Sequence, residues 1–264
     1  MPGNQEARNL AVFCDFENVA LGVREARYAQ FDMEKVLERL LLKGSIVVKK
    51  AYCDWDRYKE FKAAMHAAAF ELIEIPHLRQ SGKNSADIRL VVDALDLCYT
   101  KSHVDSFVIV SGDSDFSPLV SKLRENAKTV IGVGVKNSSS DLLIANCDEF
   151  IYYDDLVRAD EQKRRAAKKR KEAAPAGQDK KQEAFDLLLG TLEALVAERG
   201  ADEKIWGSMV KQALKRRNPG FNESYYGYRS FNDLLEDAQR EGLFGLARDE
   251  KSGGYRVRLL VPED

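Results

Sequence analysis

The chain has 264 residues, of which 44% are hydrophobic and 32% are charged. This length allows one large domain or two modest ones, and the composition is that of a globular protein with polar segments. No apolar run approaches the ~20 residues that a membrane span needs, and the polar N-terminus lacks the apolar core of a signal peptide. We therefore expect a cytoplasmic protein that makes no membrane contact.

The charged residues are distributed unevenly along the chain. Residues 158–181 carry 10 basic and 4 acidic side chains, a net charge of +6, whereas residues 1–157 and 182–264 have net charges of −5 and −3. The alanines among these cations favour a helix. No apolar stripe marks a face that could pack on a core, so we expect an exposed basic helix or linker. This linker could contact the phosphate backbone of a nucleic acid or act only as a solubilising spacer.

Residues 8–157 alternate between strand-like and helix-like segments. Apolar or β-branched runs predict six strands, at residues 10–14, 46–52, 71–75, 107–110, 129–135 and 149–153. Helical patterns lie between them, at residues 33–43, 57–70, 85–98, 118–126 and 141–146. Such alternation predicts an α/β domain with a parallel sheet flanked by helices.

Residues 182–264 differ in kind. Apolar positions from Phe185 to Val196 form a helical stripe, a second helix includes Ile205 and Leu214, and a third follows a Ser230 cap over residues 231–240. Residues 243–247 and 255–261 are strand-like and have two glycines near the turn between them. Three helices and a β-hairpin predict a small winged-helix domain.

Four aspartates follow predicted strands or begin a helix. Asp15 follows the first strand, Asp113 and Asp115 follow the fourth, and Asp87 begins the third main helix. The ends of strands one and four can be neighbours in a doubly wound sheet, so these carboxylates can converge. Two carboxylates ~5 Å apart repel by roughly 3 kcal/mol at an effective dielectric of about 20, which favours protonation or cation binding. Oxygen ligands of this kind suit Mg²⁺ or Mn²⁺.

Other interpretations of single residues stay open. An aspartate after a strand is often a helix cap, and Asp115, just before a helix, is a strong candidate for that role. Asp87 in a first helical turn is favoured by the helix dipole alone. Glu17 fits a solvated residue or a neighbour of the site better than a ligand, and Asp93 could face the site or the solvent.

Three segments together resemble the signatures of the NYN domain, a member of the PIN-like nuclease superfamily that includes LabA-type bacterial proteins. They are Asp15-Phe16-Glu17-Asn18, Lys83-Asn84-Ser85-Ala86-Asp87 and Ser111-Gly112-Asp113-Ser114-Asp115-Phe116, and the resemblance covers residues 8–157. It implies a metal-dependent endoribonuclease in which Mg²⁺ or Mn²⁺ is held by Asp15, Asp87, Asp113 and Asp115, with Asn18 in the same cluster. The alternative is a non-catalytic RNA-binding regulatory adaptor that keeps this fold.

The C-terminal block resembles the OST-HTH, or LOTUS, domain. The resemblance rests on residues 220–231, with the Trp206–Lys211 segment before them, and it implies an RNA-binding module. Tyrosine faces and neighbouring cations can stack on bases and pair with phosphates. The candidate nucleic-acid-binding residues of the whole chain are Lys83, Lys168, Lys169, Arg170, Lys171, Lys215, Arg216, Tyr225, Tyr226 and Arg229. The sequence leaves open whether the RNA is single-stranded or structured, and whether the chain forms a homo-oligomer.

Overall fold

The structure, a computed structural model, describes residues 8–28, 31–75, 85–162, 180–200, 203–249 and 253–260. The chain divides into two compact units, residues 1–170 and 171–264. The boundary between them falls within the basic segment at 158–181. Within the described residues, no helix is both long enough and apolar enough to cross a membrane.

The first unit is an α/β domain, as the sequence predicts. Its strands are β1 (Arg8–Asp15), β2 (Gly44–Cys53), β3 (Glu71–Glu74), β4 (Ser106–Val110), β5 (Thr129–Gly134) and β6 (Glu149–Tyr152). Its helices are α1 (Phe16–Glu25), α2 (Met33–Lys43), α3 (Lys62–Ala67), α4 (Ser85–Thr100), α5 (Ser117–Glu125), α6 (Asp141–Asn146) and α7, described over residues 153–162. All six strands pair in parallel, in the order β3-β2-β1-β4-β5-β6.

Strand β1 lies at the centre of two hydrophobic cores. Leu10, Val12 and Cys14 belong to one buried cluster, whereas Ala11 and Phe13 belong to the other. Successive side chains of a strand point to opposite faces of the sheet, so each face is covered by apolar residues from the helices. The expected placement of helices on both faces is confirmed, and β1 is held rigidly where it ends at Asp15.

Two parts of the first unit differ from the expectation. Helix α1 was not predicted, although Phe16, Val19 and Val23 are buried on one side of it. Only residues 62–67 of the predicted 57–70 helix are α-helical, because the chain first makes a turn and a short 3-10 segment that place Trp55 in the core.

The first unit continues beyond residue 157. Helix α7 packs against the core through Leu156 and Val157, and the Lys35 Nζ lies 2.8 Å from an Asp160 carboxylate oxygen. The first turns of the segment predicted as a linker are therefore part of the folded domain.

The second unit has the predicted winged-helix arrangement of three helices and a small antiparallel sheet. Its elements are α8 (Lys180–Arg199), β7 (Ile205–Trp206), α9 (Gly207–Arg217), α10 (Phe231–Arg240), β8 (Phe244–Arg248) and β9 (Tyr255–Leu259), with the sheet order β7-β9-β8. The Ser230 cap is confirmed, and with Asp233 it forms a capping box. The assignment of Ile205 to a helix was wrong, because this residue pairs with Val257 as a short edge strand.

Candidate functional site

The carboxyl ends of β1 and β4 are neighbours, as predicted. Cys14 pairs with Val110, the last residue of β4, so Asp15 and Ser111 leave the sheet side by side. Asp15 is only 6% exposed and Ser111 is fully buried. A charged side chain this deeply buried needs hydrogen-bond partners or a counter-ion.

Both oxygens of the Asp15 carboxylate accept hydrogen bonds. The Ser111 hydroxyl donates to Oδ2 over 3.0 Å, and the Asn18 backbone N–H donates to Oδ1 over 3.3 Å as the N-terminal cap of α1. Ser111 was not predicted as a site residue, although it belongs to the Ser111–Phe116 segment. The signal that could have found it is a small hydroxyl residue directly after a buried strand, beside an acidic neighbour.

Asn18 lies in the same cluster, as expected, and connects α1 to the loop after β4. Its side-chain oxygen accepts the Gly112 N–H over 2.9 Å. The loop is packed so closely here that a Cβ on Gly112 would lie 2.3 Å from the Ser138 carbonyl oxygen. Only glycine fits this position without displacing the loop that follows β5.

The capping role falls to Asp113 and not to Asp115. The Asp115 backbone N–H donates to Asp113 Oδ1 over 2.9 Å, which caps the short 3-10 turn Ser114–Phe116. The Asp113 N–H in turn donates to the Ser111 hydroxyl over 3.2 Å. The Asp115 side chain is exposed and is therefore available at the rim of the site.

Asp87 lies in the first turn of α4, as predicted. Burial, together with the charges of Asp113, Asp115 and Glu17, raises the pKa of its carboxyl to about 6. Burial likewise raises the pKa of Asp15 to about 7, with a contribution from the charge of Asp87 that exceeds that of Asp113. The hydrogen bonds from Ser111 and Asn18 lower the Asp15 pKa but do not offset its burial.

The donor chemistry of this cluster fits a hard divalent cation. Its charged groups among the described residues are carboxylates, and the neighbouring negative charges raise the pKa of Asp15 and of Asp87. The described residues nevertheless contain no group of three or more acidic, histidine or cysteine side chains already arranged to hold a metal ion. The Asp15 and Asp113 carboxylates already accept the hydrogen bonds described above. An ionised carboxylate has about four acceptor sites, so these bonds leave both side chains free lone pairs for a cation.

Glu17 and Asp93 have partners of their own. Glu17 forms an ion pair with Arg57 over 3.3 Å, which fits the expected role of a neighbour. Asp93 accepts a hydrogen bond from the Tyr52 hydroxyl over 2.8 Å. Its ion pairs with Lys50 and Arg89 lower its pKa further, so Asp93 belongs to a separate network between β2 and α4.

The predicted nucleic-acid-binding residues divide between the described and the undescribed parts of the chain. Lys83 and the linker residues Lys168, Lys169, Arg170 and Lys171 lie outside the described residues.

In the second unit, Lys215 and Arg229 are exposed, whereas Arg216 is half-buried. Burial, together with the charge of Arg199, lowers the pKa of Arg216.

The two candidate tyrosines have different environments. Tyr225 is 58% exposed, and the Lys180 ammonium lies 4.3 Å from its ring centre. Tyr226 stacks on Phe221 at 5.4 Å and donates a hydrogen bond to Glu183. Tyr225 is therefore the more accessible of the two.

The family assignment follows from the sequence of the first unit. The model of the NYN domain matches residues 9–154. The chain belongs to the NYN domain family. NYN domains are part of the PIN-like nuclease superfamily, and the parallel sheet with its acidic carboxyl edge agrees with that membership.

Three similar proteins extend this comparison. An uncharacterized protein of Methanocaldococcus jannaschii is 27% identical over 140 residues, which are 53% of this chain and 55% of that protein. Meiosis regulator and mRNA stability factor 1 of Xenopus tropicalis is 27% identical over 148 residues, 56% of this chain and 9% of that protein. A protein of unknown function from Vibrio parahaemolyticus has a crystal structure with a TM-score of 0.51 and 27% identity, covering 58% of this chain and 98% of the other. The chain thus spans about half, or less, of each curated relative.

Proposed function

We propose that this protein is a metal-dependent endoribonuclease whose first unit cleaves RNA and whose second unit is an OST-HTH/LOTUS module that binds it. The observation that carries the proposal is the group of mutually repelling carboxylates at the carboxyl edge of an NYN sheet. The charges of Asp87 and Asp113 raise the pKa of the buried Asp15, so a divalent cation would relieve repulsion that the metal-free site retains.

The residues of the site divide into those that would hold a cation and those that position them. Asp15, Asp87 and Asp113 would hold Mg²⁺ or Mn²⁺, with the exposed Asp115 at the rim. When bound, such an ion acidifies water and neutralises charge on a phosphodiester. Ser111 and Asn18 fix the positions of β1, α1 and the Gly112 loop through their hydrogen bonds. In the reaction, a P–O bond to water forms and a P–O bond to a ribose oxygen breaks.

The second candidate function is a non-catalytic RNA-binding adaptor. It is favoured by the capping roles of Asp15 and Asp113, because a structural role of this kind accounts for both aspartates without a metal. The name of the Xenopus relative, a meiosis regulator and mRNA stability factor, is compatible with either function.

Incubation with end-labelled RNA distinguishes the two candidates. We expect the full chain to cut RNA with Mn²⁺ or Mg²⁺ and to be inactive in EDTA. Asp113→Asn should abolish cleavage while preserving the cap, because the asparagine oxygen can still accept the Asp115 N–H. Asp96→Asn is the matched control, because Asp96 is an exposed residue on α4 and should leave cleavage unchanged. Equal cleavage by the Asp113 variant and the wild type would exclude this site as the catalytic one.

A further inference from the structure

The small sheet of the second unit has one apolar face and an opposite face that carries an indole and two guanidinium groups. Val257 and Ile205 are paired across β9 and β7 and are buried. The residues that alternate with them form the second face. Trp206 pairs with Arg256, and Gly245 pairs with Arg258. Side chains of directly paired residues lie on the same face of a sheet, so an indole and two guanidinium groups share this surface.

Arg256 and Trp206 form the centre of this outer face. The guanidinium carbon of Arg256 lies 5.0 Å from the Trp206 ring centre, which is within the range of a cation–π contact. One guanidinium nitrogen of Arg256 pairs with Asp249 over 3.0 Å. Its Nε is buried without a hydrogen-bond partner among the described residues, whereas the side chain as a whole is 41% exposed.

Arg258 lies beside this pair and has a free charge. It is exposed, and no carboxylate of the described residues forms an ion pair with it. A Cβ on Gly245 would lie 3.4 Å from both Cγ and Nε of Arg258, so the arginine side chain extends over the bare backbone of β8. The glycine therefore keeps this part of the surface flat.

We propose that this outer sheet face, formed by Trp206, Arg256, Arg258 and Gly245, is a binding surface for single-stranded nucleic acid. A flat indole offers a stacking surface to a base, and the arginines offer charged donors to phosphates. Asp249 neutralises only one of the two arginines. The inference rests on the proposed RNA-binding role of the second unit and assigns to it a surface separate from Tyr225 and its neighbours.

Tryptophan fluorescence tests this surface directly. The chain has two tryptophans, Trp55 and Trp206, and Trp55 is only 1% exposed in the core of the first unit. Titration of the full chain with a short oligouridine, in EDTA to prevent cleavage, should quench the emission of Trp206. Trp206→Phe should remove the quenching, and Trp206→Ala should weaken binding roughly tenfold, because base–aromatic stacking contributes about 1–3 kcal/mol per base.

Arg258→Ala gives an independent measurement on an exposed residue. It should make the salt dependence of binding shallower by about 0.7 per lost phosphate contact. Arg248→Ala is the matched control, because it removes the same charge from the same hairpin but alternates to the opposite face. The inference is overturned if oligouridine does not bind, if it binds without quenching, or if the Arg258 variant keeps the wild-type salt dependence. Quenching in a chain that never cuts RNA would refute the nuclease function and leave this surface standing.

Discussion

Replacement of Asp15 by asparagine should stabilise the metal-free protein at pH 8. The Asp15 carboxylate is buried and close to other negative charges, and both effects raise its pKa to about 7. A group with a raised pKa in the folded state takes up its proton more readily there than in the unfolded chain. The contribution of Asp15 to the stability of the native state is therefore greatest at low pH and is lost as pH rises from about 4 to 7. Asparagine cannot ionise, so the variant should not suffer this loss.

The magnitude follows from the pKa shift. A shift from 3.8 to about 7 corresponds to about 4 kcal/mol at pH 8, at 1.36 kcal/mol per pKa unit. Asparagine keeps the cap on the Asn18 N–H but weakens the bond from Ser111, which removes about 1 kcal/mol. The net gain of about 3 kcal/mol should raise the melting temperature of the first unit by roughly 6–12 °C.

Thermal unfolding in EDTA checks this expectation. In a Trp206→Phe background, Trp55 alone reports on the first unit. The gain should be present at pH 8 and absent near pH 4, where Asp15 is protonated in the folded protein and partly protonated in the unfolded chain, and Asp96→Asn should show no such change. An Asp15→Asn protein that is no more stable than the parent at pH 8 would refute the electrostatic account of the site.

Three further predictions concern the metal and the packing around the site. Millimolar Mg²⁺ or Mn²⁺ should raise the melting temperature through binding to the folded state. A variant in which the four predicted ligands, Asp15, Asp87, Asp113 and Asp115, are all changed to asparagine should lose that response in the same assay. Gly112→Ala should lower stability by about 1–3 kcal/mol in urea unfolding, because its Cβ would overlap the Ser138 carbonyl, whereas Gly190→Ala, with open space around it, should not destabilise. Tyr52→Phe should cost about 1–3 kcal/mol, because it removes a charged hydrogen bond to Asp93; an unchanged unfolding midpoint would contradict this.

The order of elements and the central strands could be predicted from the sequence because β1 and β4 are buried on both faces. Strands of this kind are continuous apolar runs, and the residues that follow them in a parallel sheet share one edge. This reasoning was enough to predict that Asp15 and Asp113 lie at the same edge of the sheet, and it did not depend on any side-chain contact.

The details that escaped prediction depend on tertiary contacts. Helix α1 begins within a motif that was interpreted only for its chemistry, and its apolar side is completed by Trp55, which lies 5.0 Å from Phe16 between ring centres. The identity of the cap depended on local backbone geometry, which brings the Asp115 N–H to Asp113. The partners of Asp93 come from β2, so its position relative to the site could not be derived from α4 alone.

The most direct test of the central claim is cleavage of a labelled RNA in H₂¹⁸O. The proposed hydrolysis predicts Mn²⁺-dependent products in which one ¹⁸O atom enters the new terminal phosphate, with no product from Asp87→Asn. Products that form in EDTA, that carry a cyclic phosphate without ¹⁸O, or that persist in the Asp87 variant would contradict a metal-dependent hydrolase at this site.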